Sequence, residues 1–205
     1  MNETISLWGQ RLYRQFSLML ANQPKLSYYL QPLLRWNNAE LHPDYYSARI
    51  VDSGWETEQI LSVWLEPEPS WTGFTPGQHL LVTLLHQGRY ISRSFSISSS
   101  SGLFAQQKQI RISCRIQPQG QFTKALAADI AKLTHLSISA AMGDFMLAPQ
   151  SGYTQQQSVV MVAAGSGITP LWSMLSSLRC WTSPVVLFYC VKNAVQACLL
   201  YTSDA

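Results

Sequence analysis

The chain has 205 residues, 47% of them hydrophobic and only 12% charged, with a net charge of +3 from 14 basic and 11 acidic side chains. That length suits one or two domains, and so high an apolar content excludes a disordered chain, which could not offset its conformational entropy. No run of Lys or Arg concentrates the charge, so nothing argues for a nucleic-acid partner.

The four cysteines, at 114, 180, 190 and 198, form no CxxC pair. Their spacing fits neither a zinc site nor a disulfide framework and suits a reducing compartment. No stretch reaches the ~18–20 apolar residues of a membrane span, and Met1–Gln10 lacks the basic end and apolar run of a signal peptide. The expectation is a soluble, cytoplasmic protein.

Residues 1–44 read as a preamble rich in Leu, Tyr and Trp and interrupted by Pro24, Pro32 and Pro43. Leu12, Phe16, Met19 and Leu20 have helical spacing, which predicts a short amphipathic helix. It packs on its own domain or, alternatively, docks on a partner or membrane surface. From residue 45 the pattern changes to short strands at Tyr45–Asp52, Glu58–Glu66, Gln78–His86, Arg89–Ile97 and Lys108–Ile116. Turn residues separate them at Ser53-Gly54, Thr75-Pro76-Gly77, Gln87-Gly88 and Ser101-Gly102. A helical patch at Phe122–Ala131 and a strand near Leu133–Ala140 follow; the short strands predict an antiparallel barrel or sandwich, with 45–150 taken as the barrel domain. Gln155–Gln157 looks like a linker.

Val159–Ala164 is an unbroken apolar run, as expected of a parallel strand covered on both faces. It enters Gly165-Ser166-Gly167-Ile168-Thr169-Pro170, then a helical segment at Leu171–Leu178 and a second apolar strand at Val185–Val191. That is one βαβ unit, the start of a doubly wound α/β domain over 158–197. Further units do not fit into the remaining residues, so the domain reads as incomplete. Cys198–Ala205 matches what one reading frame of a sequencing-library transposon adapter would encode. It therefore reads as an artefactual tail, with a natural short tail as the alternative; genomic coverage through codon 198 separates the two.

Taken singly, the chemical motifs are weak. Gly165-x-Gly167 after a strand suits a nucleotide turn, where glycines let the backbone approach a pyrophosphate and the next helix offers its N–H groups. Pro170, however, stands where a third glycine would complete G-x-G-x-x-G, and an ordinary Gly-rich turn reads equally well. Arg93-Ser94-Phe95-Ser96 closes the fourth strand, with Arg93 and Phe95 on one face and Ser94 and Ser96 on the other. A guanidinium beside an aromatic ring can hold a phosphate while the ring packs on a flat heterocycle; alone, the pattern reads more often as an ordinary strand with a surface Arg and a core Phe.

The order of motifs is more specific. Pro76-Gly77-Gln78, Arg93-Ser94-Phe95-Ser96, Gly120-Gln-Phe-Thr123, Gly143-Asp-Phe145, Ala164-Gly-Ser-Gly-Ile-Thr-Pro170 and Tyr189-Cys-Val-Lys192 follow one another along the chain. This series resembles the ferredoxin–NADP reductase superfamily of flavoproteins over about residues 45–193. Within it, the chain is most similar to reductases carrying a plant-type ferredoxin domain that feed oxygenases or desaturases.

The resemblance implies a FAD-binding barrel with Arg93 on the FAD phosphates and Phe95 where the family usually has Tyr, stacked on the isoalloxazine without the hydroxyl. Ser96 would lie near flavin N5 as the catalytic residue, beside Ser94, and Ser99 fits a further serine of that motif. Gly120 and Thr123 match a Gly-x-x-Ser that holds the pyrophosphate. Gly165, Gly167, Thr169 and Pro170 would form the turn under a nicotinamide dinucleotide, and Lys192 stands where many members have Arg.

The implied reaction passes a hydride from NAD(P)H to FAD and then single electrons to a ferredoxin-type iron–sulfur centre. The chain has no C-x4-C-x2-C spacing, so a [2Fe-2S] cluster would belong to a C-terminal domain absent from this sequence or to a partner. Membrane contact would come only through a membrane-bound partner. As written, the chain is expected to bind FAD weakly and turn over little nucleotide. The alternatives are a non-enzymatic flavin- or ligand-binding barrel, an electron-transfer subunit, or a flavin reductase with another acceptor such as a ferric chelate. His79 reads as a core or rim histidine, His42, His86 and His135 show no metal-ligand spacing, and Cys114, Cys180 and Cys190 read as buried thiols. The serines at 98–101 read as a loop.

Overall fold

A computed structural model describes residues 45–146, 158–178 and 182–192. The chain separates into two units, Met1–Tyr45 and Tyr46–Ala205, and the fold described here is that of the second. The expected preamble helix, the Gln155–Gln157 linker, His42, Cys180 and the Cys198–Ala205 tail lie outside the described residues.

Six strands form one sheet: β1 (Tyr45–Thr57), β2 (Ile60–Pro67), β3 (His79–His86), β4 (Arg89–Ser96), β5 (Ile110–Arg115) and β6 (His135–Ser139). Their order is β4-β3-β6-β1-β2-β5. The β1–β2, β2–β5, β3–β4 and β3–β6 pairs are antiparallel. Just beyond β4, Ile97 bridges to Ile112 of β5, so the two ends of the order meet and the sheet curls toward a barrel. Period-two alternation sends Leu61, Val63 and Leu65 of β2, Leu80, Val82 and Leu84 of β3, and Ile110, Ile112 and Cys114 of β5 into one core. Each such aliphatic side chain contributes about 1.5–3 kcal/mol on burial. Gln87 and Gly88, both at positive φ, join β3 to β4 as a two-residue hairpin turn.

The structure corrects the sequence reading in three places. Ser53-Gly54 is not a turn; β1 runs through it to Thr57, with irregularities at Ile50/Asp52 and Trp55/Thr57 that bend the strand. Ser101-Gly102 begins a helix, α1 (Ser101–Gln107), whose N-cap Ser100 accepts from the Leu103 N–H and whose C-cap Lys108 is left-handed. Phe104 of α1 meets Trp71 edge-on at 5.1 Å, and the Trp71 indole donates to the Ser139 carbonyl at 3.0 Å. Thirdly, the parallel strands are covered on one face only, as described below.

Helix α2 (Gln121–Asp129) buries Phe122, Ala125 and Leu126 against β3 and β4. The βαβ unit consists of β7 (Val159–Ala164), a 3-10 turn (Gly165–Gly167), α3 (Ile168–Ser177) and β8 (Val185–Cys190). β7 and β8 pair in parallel from Val159↔Val185 to Ala164↔Cys190. Met161 and Ala163 face α3, and a small core of Ile168, Leu171 and Met174 forms there together with Ile60 of β2. On the opposite face Val160, Val162, Val186 and Phe188 are exposed, from 44% to 69%. Cys190 is likewise exposed, whereas Cys114 is buried as expected. Among the described residues, no helix is long and apolar enough to cross a membrane.

Candidate flavin and nucleotide site

The end of β4 lies between two helices. Phe95 pairs with Leu80 across the ladder and packs its ring on Phe122 of α2, with centroids 5.3 Å apart. Arg93, on the same strand face, is exposed and donates from Nη1 to the Ser92 carbonyl at 2.8 Å. Ser94 is exposed opposite Leu81, and Ser96 is half-buried opposite His79. Beyond Ser96 the chain turns inward. Ser99 is buried; its Oγ accepts from the Arg111 N–H at 3.0 Å, and its carbonyl accepts from the Ser173 hydroxyl of α3 at 2.6 Å. The structure therefore brings Phe95 and Ser96 to a strand end flanked by α2 and α3, but it uses Ser99 inside the fold rather than on that surface.

Gly120 is the N-cap of α2, and no side chain caps this helix, so its first N–H groups remain for water or an anion. A Cβ at Gly120 would stand 2.7 Å from Thr123 Oγ1, so glycine lets the loop close on that hydroxyl. Thr123 Oγ1 accepts from the Gln117 N–H at 3.3 Å, which fixes the loop ahead of the helix and keeps the hydroxyl hydrogen available to donate.

The second cluster lies at the carboxyl edge of the parallel pair. Gly165 follows β7 directly and Lys192 follows β8 by two residues; Ala164 and Cys190, the last strand residues, are partners. That edge is where open α/β sheets bind ligands. Gly165 has φ +52, a conformation that favours glycine. Gly167 is different: its φ of −65 suits any residue, and nothing lies within 4 Å of a Cβ built there. Neither backbone nor packing demands glycine at 167, and the space over the turn is open. Thr169 is buried and donates to the Ser166 carbonyl at 3.0 Å, and Pro170 sits in the first helical turn, where its missing N–H costs nothing. The helix thus begins inside the predicted turn.

Two residues of the Pro76-Gly77-Gln78 motif, to which the sequence assigned no role at the site, make contacts there. Gln78 accepts from the Thr75 N–H at 2.8 Å and donates to the Gly143 carbonyl at 3.3 Å, tying two of the motifs together. Gly77, at φ +99, lies so close to Phe145 and Met174 that a Cβ would come 2.2 Å from the Phe145 carbonyl oxygen. The positive-φ signal was visible as Pro-Gly; its tertiary partners were not. His79 is half-buried with Gly143 against its ring, His86 faces Asp129 at 3.8 Å, and His135 lies 3.1 Å from the Thr134 hydroxyl.

Residues 55–147 match the family model described as an oxidoreductase FAD-binding domain. The chain is 28% identical over 144 residues to an NADPH oxidoreductase of Mycobacterium tuberculosis, covering 70% of this chain and 36% of that protein. Over residues 55–147 the chain is thus similar to oxidoreductase FAD-binding domains.

Solved structures agree with this likeness in fold. The FAD/NAD-binding domain of a nitric oxide dioxygenase from Vibrio cholerae superposes with a TM-score of 0.66 at 20% identity, over 77% of this chain and 67% of that one. Phthalate dioxygenase reductase, a protein for electron transfer from pyridine nucleotides to [2Fe-2S], gives 0.62 at 20% identity over 75% and 46%. The chain spans about a third of the length of the curated relatives it matches. The residues present fit FAD: an uncapped helix start, an arginine on an exposed strand face and a flat aromatic side chain border one strand end.

Proposed function

We propose that this chain carries the flavin site and the first nucleotide-binding unit of an NAD(P)H-dependent reductase of the cytoplasm. Its electrons would pass singly to a ferredoxin-type iron–sulfur centre, in a partner or a further domain, that feeds an oxygenase or desaturase. The observation that carries the reading is the presence of two glycine turns of different kinds, one at the start of α2, which packs on β4, and one at the carboxyl edge of the β7–β8 pair. The uncapped α2 start suits a pyrophosphate, and the Gly165–Gly167 turn, with no neighbour within 4 Å of either glycine's Cβ position, suits a second nucleotide.

In this reading residues 45–150 form the flavin barrel and 158–197 the nucleotide unit, with 1–44 a separate preamble and 198–205 a tail outside both. Arg93 holds a FAD phosphate by a charge-assisted hydrogen bond. Phe95 supplies a flat apolar face, and its contact with Phe122 keeps that face in place. Ser96 offers a hydroxyl beside the flavin N5, with Ser94 next to it on the exposed strand. The α2 N–H groups and Thr123 hold the pyrophosphate at Gly120, where the missing side chain lets them approach. Gly165, Gly167, Thr169 and Pro170 shape the dinucleotide turn, and Lys192 provides a point charge for a phosphate. Ser99 contributes by holding the strand end to β5 rather than by touching the cofactor. Bound FAD supplies the chemistry of taking two electrons as hydride and releasing them one by one.

The iron–sulfur acceptor is supported by the likeness to phthalate dioxygenase reductase. The test is the visible spectrum of the purified chain after incubation with FAD and desalting, followed by addition of NADH or NADPH without oxygen. A flavin band retained below one equivalent, in keeping with weak binding, and bleached slowly by either nucleotide is the expected result. A folded, colourless protein refutes the flavin reading and leaves a binding barrel.

A further inference from the structure

Ser173 is fully buried on α3. A buried serine in a helix commonly donates to a carbonyl of its own preceding turn, and Ser177 does so, to the Ser173 carbonyl at 2.8 Å. Ser173 instead donates out of the helix, to the Ser99 carbonyl three residues beyond Ser96, at 2.6 Å. The receiving segment is itself held from several sides. Ser99 Oγ accepts from the Arg111 N–H, Ser98 Oγ donates to the Arg111 carbonyl at 3.1 Å, and Arg111 Nη2 donates to the Ser98 carbonyl at 3.3 Å. Ser98 also lies 3.0 Å from Ser113 Oγ, which lies 2.7 Å from Ser62 Oγ. A line of buried polar groups therefore runs from α3 through the end of the flavin strand into β5 and β2.

The other contacts between α3 and the barrel are less directional. Met174 meets Gly77, Ile60 joins the small apolar core, and Ser177 touches Ser101 only at 3.4 Å. Apolar burial is non-directional and permits sliding, whereas a buried hydrogen bond that slides leaves its groups desolvated and unsatisfied. α3 begins at the Gly165–Gly167 turn, so its position along the barrel sets the distance from that turn to Ser96.

We propose that Ser173 is a positioning residue: its hydrogen bond to Ser99 fixes the dinucleotide turn over the Ser96 end of the flavin strand. The inference rests on the function proposed above. The hydride lost by the reduced nicotinamide, which is oxidised, is gained by the flavin, which is reduced; no further reagent enters. What Ser173 sets is the separation over which it passes.

The test compares Ser173→Ala with Leu171→Ala, a buried residue of the same helix that makes no hydrogen bond to Ser99. The first readout needs no cofactor. Backbone residual dipolar couplings of the wild-type chain are expected to fit one alignment tensor for the barrel and the β7–α3–β8 unit. Ser173→Ala is expected to require two tensors, while Leu171→Ala keeps one despite its loss of stability. The second readout is single-turnover flavin reduction in the FAD-loaded chain. Ser173→Ala is expected to slow it about ten-fold or more, since sub-ångström to 1 Å misplacement costs up to about a hundred-fold, with dinucleotide affinity within about two-fold of wild type. Should Ser173→Ala fail to fold, Ser173→Cys keeps the volume with a weaker donor and reads the same two quantities. A Ser173 variant that keeps one tensor, or that is reduced at the wild-type rate, overturns the inference alone. A wild-type chain that aligns as one body but retains no FAD, or whose FAD neither nucleotide reduces, overturns the proposed function and the inference with it.

Discussion

Gly77→Ala tests how tightly two motifs of the sequence and helix α3 are packed together. Two costs arise at once. The residue has φ +99, where an L side chain is strained by about 1–2 kcal/mol. Its new methyl would also stand 2.2 Å from the Phe145 carbonyl oxygen and 2.3 Å from Met174 Cε. The methionine end can swing aside. The carbonyl cannot do so cheaply, because the 142–145 segment is held by His79 N–H to the Met142 carbonyl (3.0 Å), Met142 N–H to the His79 carbonyl (2.8 Å) and Gln78 to the Gly143 carbonyl. Carbon and oxygen normally meet at about 3.3 Å, so the backbone must yield by about 1 Å, an overpacking cost of about 1–3 kcal/mol.

The sum is about 2–5 kcal/mol, a large part of the roughly 5–15 kcal/mol that holds a domain folded. Gly88→Ala isolates the first cost, since Gly88 has φ +75 but nothing within 4 Å of its Cβ position. Urea unfolding followed by far-UV circular dichroism is expected to show a midpoint loss for Gly77→Ala at least twice that of Gly88→Ala. Equal losses at the two positions would refute the close approach of Phe145 and with it the convergence of the motifs.

Arg93→Ala is expected to weaken FAD retention by about ten- to a hundred-fold, the worth of one charge-assisted hydrogen bond, with apo stability within about 0.5 kcal/mol because the side chain is exposed; flavin fluorescence titration and apo melting read the two effects separately. Phe95→Tyr supplies the hydroxyl usual in the superfamily while keeping the packing on Phe122, and is expected to tighten FAD by a few-fold in the same titration. Burial pushes the Cys114 thiol from its ordinary value of 9.0 up to about 12, so the folded protein holds the neutral thiol where the unfolded chain ionises. The stability this gives is complete below about pH 9 and is lost as pH rises toward 12; Cys114→Ala should flatten that alkaline loss in urea titrations, and thiol reagents at pH 8 should modify Cys190 before Cys114. Arg111, wholly buried 3.9 Å from Glu56, should cost about 3–5 kcal/mol when replaced by Ala, because a buried carboxylate loses its cation, and clearly less in the double variant Arg111→Met/Glu56→Gln.

Much of the fold was legible because alternation is a local signal. Leu80, Val82 and Leu84 announce an inward face without knowledge of what lies opposite, and Val159–Ala164 announces a strand by its apolar run. The failures share a physical cause. Ser53-Gly54 and Ser101-Gly102 carry the same small, turn-prone residues, yet one lies inside a strand paired with Val63 and Ser62 and the other opens a helix. Tertiary pairing decided the first. A single N-cap, Ser100, decided the second, and four serines in a row hid which one it was. At the site, Arg93, Phe95 and the glycine turns were legible as motifs. The inward role of Ser99 and the reach of Ser173 were not, because they depend on residues 74 positions apart meeting in space.

The uncovered side of the parallel pair has a bearing on how the protein behaves in solution. Val160, Val162, Val186 and Phe188 present a stripe of branched and aromatic side chains to water, next to strand edges that have no further partner among the described residues. Salts excluded from protein surfaces strengthen the drive to hide such a stripe. Sulfate and phosphate therefore push this molecule toward self-association at the same time as they compete for anion sites at helix starts. A buffer of low ionic strength with a weakly structuring anion relieves both, so the choice of salt bears directly on whether flavin retention is measured on a monomer.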